Sequence, residues 1–261
     1  MRALADRRFF LALMGSLIAL AWVTLWIWEQ SPYGRYLDHS QLGAFDLSAG
    51  RVLLPAVLYV AGWTLMTVAM MLPTTLPLLT IFHRLTGNRE DRARLMVLLI
   101  SGYLGIWLTF GVAAHLADWV LHEALERSVW LTANAWVIGA GTLAVAGGFQ
   151  FTRLKYRCLD KCRAPLSFVM QYWRGSREHW NAFMLGVHHG AFCVGCCWAL
   201  MLLMFGVGIG NVGWMLGLGV VMAIEKNMPW GRKISTPLGL VLIGWGLLIP
   251  LRELWIAGIG A

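Results

Sequence analysis

Charge is scarce in this chain of 261 residues: 13% of them are Asp, Glu, Lys or Arg, where a soluble domain carries roughly a quarter. With several long apolar runs and a composition 59% hydrophobic, this deficit excludes an ordinary soluble domain and points to a polytopic membrane protein. Cysteine is sparse and odd in number, five in all, and none falls in a loop expected to lie outside the cell. That argues against a disulfide framework and leaves metal binding or thiol chemistry. No Gly-Lys-Ser/Thr phosphate cradle and no Gly-x-Gly-x-x-Gly after a strand are found, and nothing points to haem, flavin or nucleotide. There is no repeat of fixed period and no soluble domain. The formal charge of +8 does not mark a nucleic-acid binder, because the basic residues fall in alternate short loops.

What is present is a series of apolar segments. The expected fold is an all-α polytopic bundle of about seven transmembrane helices, a single domain over 1–261. The spans are expected at about 9–28, 52–82, 95–119, 131–151, 181–205, 214–224 and 237–255. The first follows Arg2, Arg7 and Arg8, is too long for a signal peptide, and lacks a small-residue cleavage site, so it reads as retained. Residues 29–51 read as a loop, and Gly206–Gly213 as a tight turn. Pro73 and Pro77 should kink the second span or end its regular part. Gly139, Gly141, Gly147 and Gly148 give the fourth a face suited to close packing. Of the 21 Lys and Arg, all but Arg35, Arg51, Arg127 and Arg252 fall on one side, which places the N-terminus in the cytoplasm and the C-terminus outside.

The chemistry concentrates in the fifth span. On a helix His189, Cys193, Cys196 and Cys197 stand at i, i+4, i+7 and i+8, one face. At ~1.5 Å per residue from Phe183, Cys193 lies ~15 Å in, near the middle of a ~30 Å hydrocarbon core. Buried free cysteine is common as a small hydrophobe, but three within five positions behind His188-His189 point to a site. In the second span Met66 and Met70 share a face at a similar depth; they fill gaps between helices or offer thioethers to the cysteines. Cys158 and Cys162 lie in the basic connection 152–180, at the i, i+4 spacing that joins two sulfurs on one helical face. Arg157, Lys161 and Arg163 beside them should lower their thiol pKa. Thiolate, imidazole and thioether are ligands for a soft or borderline ion, Cu(I) first; zinc, which prefers four ligands in a closed tetrahedron, could be held by Cys158, Cys162 and histidines. Glu225 and Lys226 at the inner end of the sixth span either pair with the basic connection, snorkel at the interface, or serve a gate or proton coupling. His115 and Asp118 read as interfacial polar residues.

Four stretches together resemble a bacterial family of predicted metal-binding integral membrane proteins, some members of which carry a copper-chaperone label. They are Trp63–Pro73 (WTLMTVAMMLP), Phe149–Pro165 (FQFTRLKYRCLDKCRAP), Gly186–Met201 (GVHHGAFCVGCCWALM), and Glu225-Lys226 with Pro229. The resemblance covers roughly Trp63 to Trp230 and implies Cys158, Cys162, Cys193, Cys196 and Cys197 as metal ligands; it carries no reaction.

The leading expectation is a multi-pass protein of the bacterial inner membrane that handles Cu(I) by chaperoning, insertion or transport. It would serve a periplasmic or membrane cuproprotein and bind no nucleic acid. Two alternatives remain. One is a membrane thiol–disulfide oxidoreductase passing electrons to quinone. The other is a structural or assembly subunit whose cysteines only pack.

Overall fold

The computed structural model describes residues 2–31, 53–174, 177–207 and 211–259. Most of the loop expected at 29–51, with Arg35 and Arg51, lies outside the described residues, as do 208–210 of the expected Gly206–Gly213 turn. The described residues are helical, with no strand among them. In chain order the helices are α1 (Arg2–Glu29), α2 (Leu53–Leu85), α3 (Arg92–Arg127), α4 (Val129–Ala133), α5 (Trp136–Phe149), α6 (Arg153–Arg163), α7 (Pro165–Tyr172), α8 (Glu178–Val207), α9 (Val212–Asn227) and α10 (Ser235–Ile259). A 3-10 turn, Gly231–Ile234, joins the last two.

Five helices are long and apolar enough to cross a membrane: those of the first, second, third, fifth and seventh expected spans. Two expected spans are shorter. The fourth, expected at 131–151, is broken into α4 and the 14-residue α5. The break falls at Asn134, whose backbone leaves the helical conformation (φ −123°, ψ 39°). Its side chain donates at 2.8 Å to the Trp130 carbonyl that its own backbone N–H also reaches at 3.0 Å, the local bonding by which asparagine favours a helix end. At ~1.5 Å per residue α5 is only ~21 Å long, short of a ~30 Å core. The sixth, α9, has 16 residues.

The second span does not end at its prolines; α2 runs through both to Leu85. Pro73 has no N–H, so the Ala69 carbonyl loses its helical donor. The Trp22 indole of α1 supplies one at 3.2 Å. Loss of a helical bond is thereby offset by a contact between neighbours, as membrane helices require.

Small residues set the closest pairing, α3 on α8. A Cβ on Gly186 of α8 would fall 2.9 Å from the Tyr103 amide nitrogen, and one on Gly102 of α3 would fall 3.1 Å from the Val187 nitrogen, so only glycine admits both backbones. The same device joins α5 to α10, where a Cβ on Gly147 would meet the Gly239 carbonyl at 2.9 Å. α2 is tied to α3 by Trp63 Nε1 donating to the Trp107 carbonyl and Tyr59 to the Gly111 carbonyl, each at 2.8 Å. Large apolar side chains point outward along α1 and α10, among them Phe9, Leu20, Leu240, Leu248 and Trp255. The core divides into two clusters. One holds Cys158, Cys193, Cys196 and Cys197; the other, around Phe82, Leu99 and Phe168, holds no cysteine.

Candidate metal centre

The stretch 152–180, expected as a connection, folds into α6 and α7. Thr152 caps α6 by accepting from the Lys155 amide at 3.3 Å, and Pro165 opens α7 at the first helical turn, where its missing N–H costs nothing. The helical condition for the Cys158–Cys162 pair is met: both lie in α6, Cys158 buried and Cys162 half-buried. α6 packs across α8 at Gly195. A Cβ there would lie 2.7 Å from Cys158 Sγ, so the glycine makes room for the sulfur.

The two cysteine groups therefore meet. Cys162 comes near enough to Cys196 for the two thiols to be coupled electrostatically. Cys196 Sγ and Cys197 Sγ are 3.4 Å apart, and Cys196 also donates to the Cys193 carbonyl at 3.2 Å. Cys193, Cys196 and Cys197 are at most 1% exposed, and all five cysteines are free thiols. Among the described residues no three His, Cys, Asp or Glu side chains converge on one point as they stand. Cys196 and Cys197 are in direct sulfur contact, while the Cys193 sulfur meets Lys226 and Tyr103.

Cys193 has charged company. Lys226 Nζ of α9 donates to its sulfur at 2.8 Å and to Thr74 Oγ1 at 3.3 Å; the Tyr103 hydroxyl lies 3.1 Å from the same sulfur. Lys226 is 5% exposed, so an interfacial snorkelling role does not describe it. Among the described residues no carboxylate pairs with it, and the partner given to this buried ammonium is a thiol.

Glu225 points the other way, as adjacent helical residues must. It accepts from Lys155 and from Ser235, each at 2.7 Å, and Lys155 also donates to Gln150. Lys155 is fully buried and Glu225 is 1% exposed. The expected pairing of Glu225 with the basic connection is thus observed, inside the protein. Arg163 donates to the Glu225 and Pro229 carbonyls, so both ends of α6 are anchored on the end of α9.

The expected lowering of the α6 thiols is not observed for Cys158. Burial, then the nearby Cys197, pushes its thiol above the usual value. The cations beside it are engaged elsewhere: Arg163 on α9 carbonyls and Lys161 on Gln171 at 3.0 Å.

The two histidines separate. His189 is 3% exposed, 5.7 Å from the Tyr103 ring and 5.4 Å from Phe168, and its Nδ1 is buried without a hydrogen-bond partner. His188 Nδ1 contacts the Met184 carbonyl at 2.7 Å and its ring stacks on Tyr172. Met66 and Met70 are buried in the cysteine cluster; Met70 lies against Gly219 of α9, the position of whose missing Cβ is 3.6 Å from Met70 Cγ. His115 lies apart, its ring 4.5 Å from Tyr59.

Sequence reasoning missed Lys155, Tyr103, Thr74, Arg163 and Ser235 as parts of this centre. Lys155 and Arg163 stand inside the Phe149–Pro165 motif but read there as loop charge. Tyr103, Thr74 and Ser235 carry no local signal.

An all-helical apolar bundle with five free thiols, a buried imidazole nitrogen without a hydrogen-bond partner and buried thioethers offers the donor types that a soft metal ion takes. The family model described as "PpoB2: Copper chaperone" matches residues 60–249, and the chain belongs to that family. No curated protein and no solved structure matches it.

Proposed function

We propose that this protein carries Cu(I) within the bacterial inner membrane and hands it to a periplasmic or membrane cuproprotein. It would act as one domain over 1–261 that crosses the bilayer seven times, with its N-terminus in the cytoplasm. Five helices of spanning length and outward apolar side chains support membrane residence. The remaining two crossings would be α5, packed against α8 and α10, and α9, packed against α2 and α8. The alternation of basic segments supports the orientation.

The observation that carries the reading is the docking of the Cys158–Cys162 helix onto the Cys193–Cys197 helix, which brings Cys162 to Cys196 across the contact. Cu(I) accepts few, soft ligands, so the Cys196–Cys197 sulfur pair, with the α6 thiols docked beside it, suits it. Copper would be taken up at Cys158 and Cys162 on α6, passed by ligand exchange to Cys196 and Cys197, and held beside Cys193. Lys226 fits this cargo: Cu(I) between two thiolates carries one negative charge, and an ammonium within the same core offsets it.

The test is metal content per chain after anaerobic purification from copper-replete cells, for the wild type and for Cys158→Ser, Cys162→Ser, Cys193→Ser and Cys196→Ser. Stoichiometric copper that falls with substitutions on both helices supports one continuous path. Absence of copper from the wild type under reducing conditions sinks the reading, and bound zinc in its place redirects it.

A further inference from the structure

The methionines of this protein are unevenly placed. The core cluster without cysteine has two, Met14 and Met96, beside six leucines. The cluster with the cysteines also has six leucines but seven methionines: Met66, Met70, Met71, Met201, Met204, Met215 and Met222. Each is at most 1% exposed. Leucine and methionine fill similar volumes and exchange readily in cores, so packing does not account for methionine gathering in one cluster.

Their order along the helices is regular. α8 and α9 run antiparallel and are tied together by the Lys226–Cys193 contact at 2.8 Å. Away from that contact α8 carries Cys197, Met201 and Met204, and α9 carries Met222 and then Met215. α2 follows α9: Met70 lies against Gly219, and Met66, one turn further on, comes level with Met215. Met201, four residues beyond Cys197 and three before Met204, lies with them along one face of α8. The donors therefore change along the bundle from thiols, through mixed thiol and thioether, to thioethers only.

We infer that Met66, Met201, Met204 and Met215 form a second Cu(I) site, composed of thioethers, on the side of the cysteines away from the α6 helix. The inference rests on the copper-handling reading and names its exit. A thioether is a soft, neutral donor that binds Cu(I) with no deprotonation and more weakly than a thiolate, as a release site requires. Facing an oxidising compartment it forms no disulfide, unlike a cysteine at the same level. The orientation read from the basic residues points this end of α8 to the periplasm.

The experiment uses the full chain in detergent or nanodiscs, loaded anaerobically with Cu(I) and then passed over a desalting column. The variants are Met66→Leu, Met201→Leu, Met204→Leu and Met215→Leu combined, and Met14→Leu with Met96→Leu as the packing control. The wild type is expected to retain about two copper ions, the control about two, and the fourfold leucine protein about one. A second arm replaces all five cysteines by serine: that protein should still bind about one ion, and lose it when the four leucines are added. Helical circular dichroism reports the folding of every variant. If the wild type holds copper but the fourfold leucine protein holds as much, or the cysteine-free protein holds none, the thioether site is wrong and the cysteine reading stands. If the wild type holds no copper, both fall.

Discussion

Replacing Lys226 by Met separates folding from metal holding. The ammonium lies 2.8 Å from Cys193 Sγ and has Thr74 as its other partner. At that distance and an effective dielectric of ~20, the attraction between ammonium and thiolate is about 6 kcal/mol before desolvation. Taking the ammonium out of water removes most of that gain, which leaves about 1.5–3 kcal/mol, the usual net worth of a charged hydrogen bond. One factor of ten corresponds to about 1.36 kcal/mol, so Lys226→Met should weaken Cu(I) binding about tenfold to a hundredfold. Folding should not suffer, because a thioether of similar length needs no partner in that core. Lys226→Arg keeps the charge but presents a planar fork, and should fall between the two. The assay is competition for Cu(I) with a coloured chelator, beside a thermal melt of the metal-free protein. Wild-type affinity in Lys226→Met, or a large loss of thermal stability without a change in affinity, would refute the reasoning.

Other outcomes follow from neighbouring contacts. Lys155→Met or Glu225→Gln each leaves one buried polar group without its charged partner and should cost about 3–5 kcal/mol, whereas the double substitution Lys155→Met with Glu225→Leu should recover much of it in a denaturant titration. Gly195→Ala sets a methyl 2.7 Å from Cys158 Sγ; it should cost about 1–3 kcal/mol and speed the labelling of Cys158 by a maleimide as α6 is pushed away. Gly186→Ala brings a methyl against α3 backbone and should separate α3 from α8, with loss of folded protein on size exclusion. Asp91, between α2 and α3, is held below its ordinary value of 3.8 chiefly by the Arg89 hydrogen bond. A depressed carboxylate contributes stability that is present above that ordinary value and lost as pH falls through the folded-state one. Acid unfolding monitored below pH 3.8 should therefore be shallower in Asp91→Asn than in the wild type.

The helices were legible because apolar length and missing charge are local properties. The helix break inside the fourth expected span falls at Asn134, a helix-ending residue that hydropathy does not register. The 52–82 span left open whether Pro73 kinks α2 or ends its regular part, and what decides it is non-local: the compensating donor, Trp22, is 47 residues away. The cysteines stood out as three ionisable groups within five positions of an apolar run. Their meeting with Cys158 and Cys162 did not, since it depends on where α6 lies and on the room left by Gly195. Spacing alone could say that Glu225 and Lys226 face apart, but not that one would find Lys155 and the other Cys193.

The claim at the centre of this account is that sulfur from α6 and α8 holds copper together. X-ray absorption at the copper edge, on anaerobically loaded protein, tests it most directly. The account predicts monovalent copper with about two or three sulfur neighbours and no nitrogen or oxygen shell in the wild type, and a lost sulfur neighbour in both Cys162→Ser and Cys196→Ser. A first shell of nitrogen or oxygen, or a spectrum unchanged by both substitutions, would contradict it.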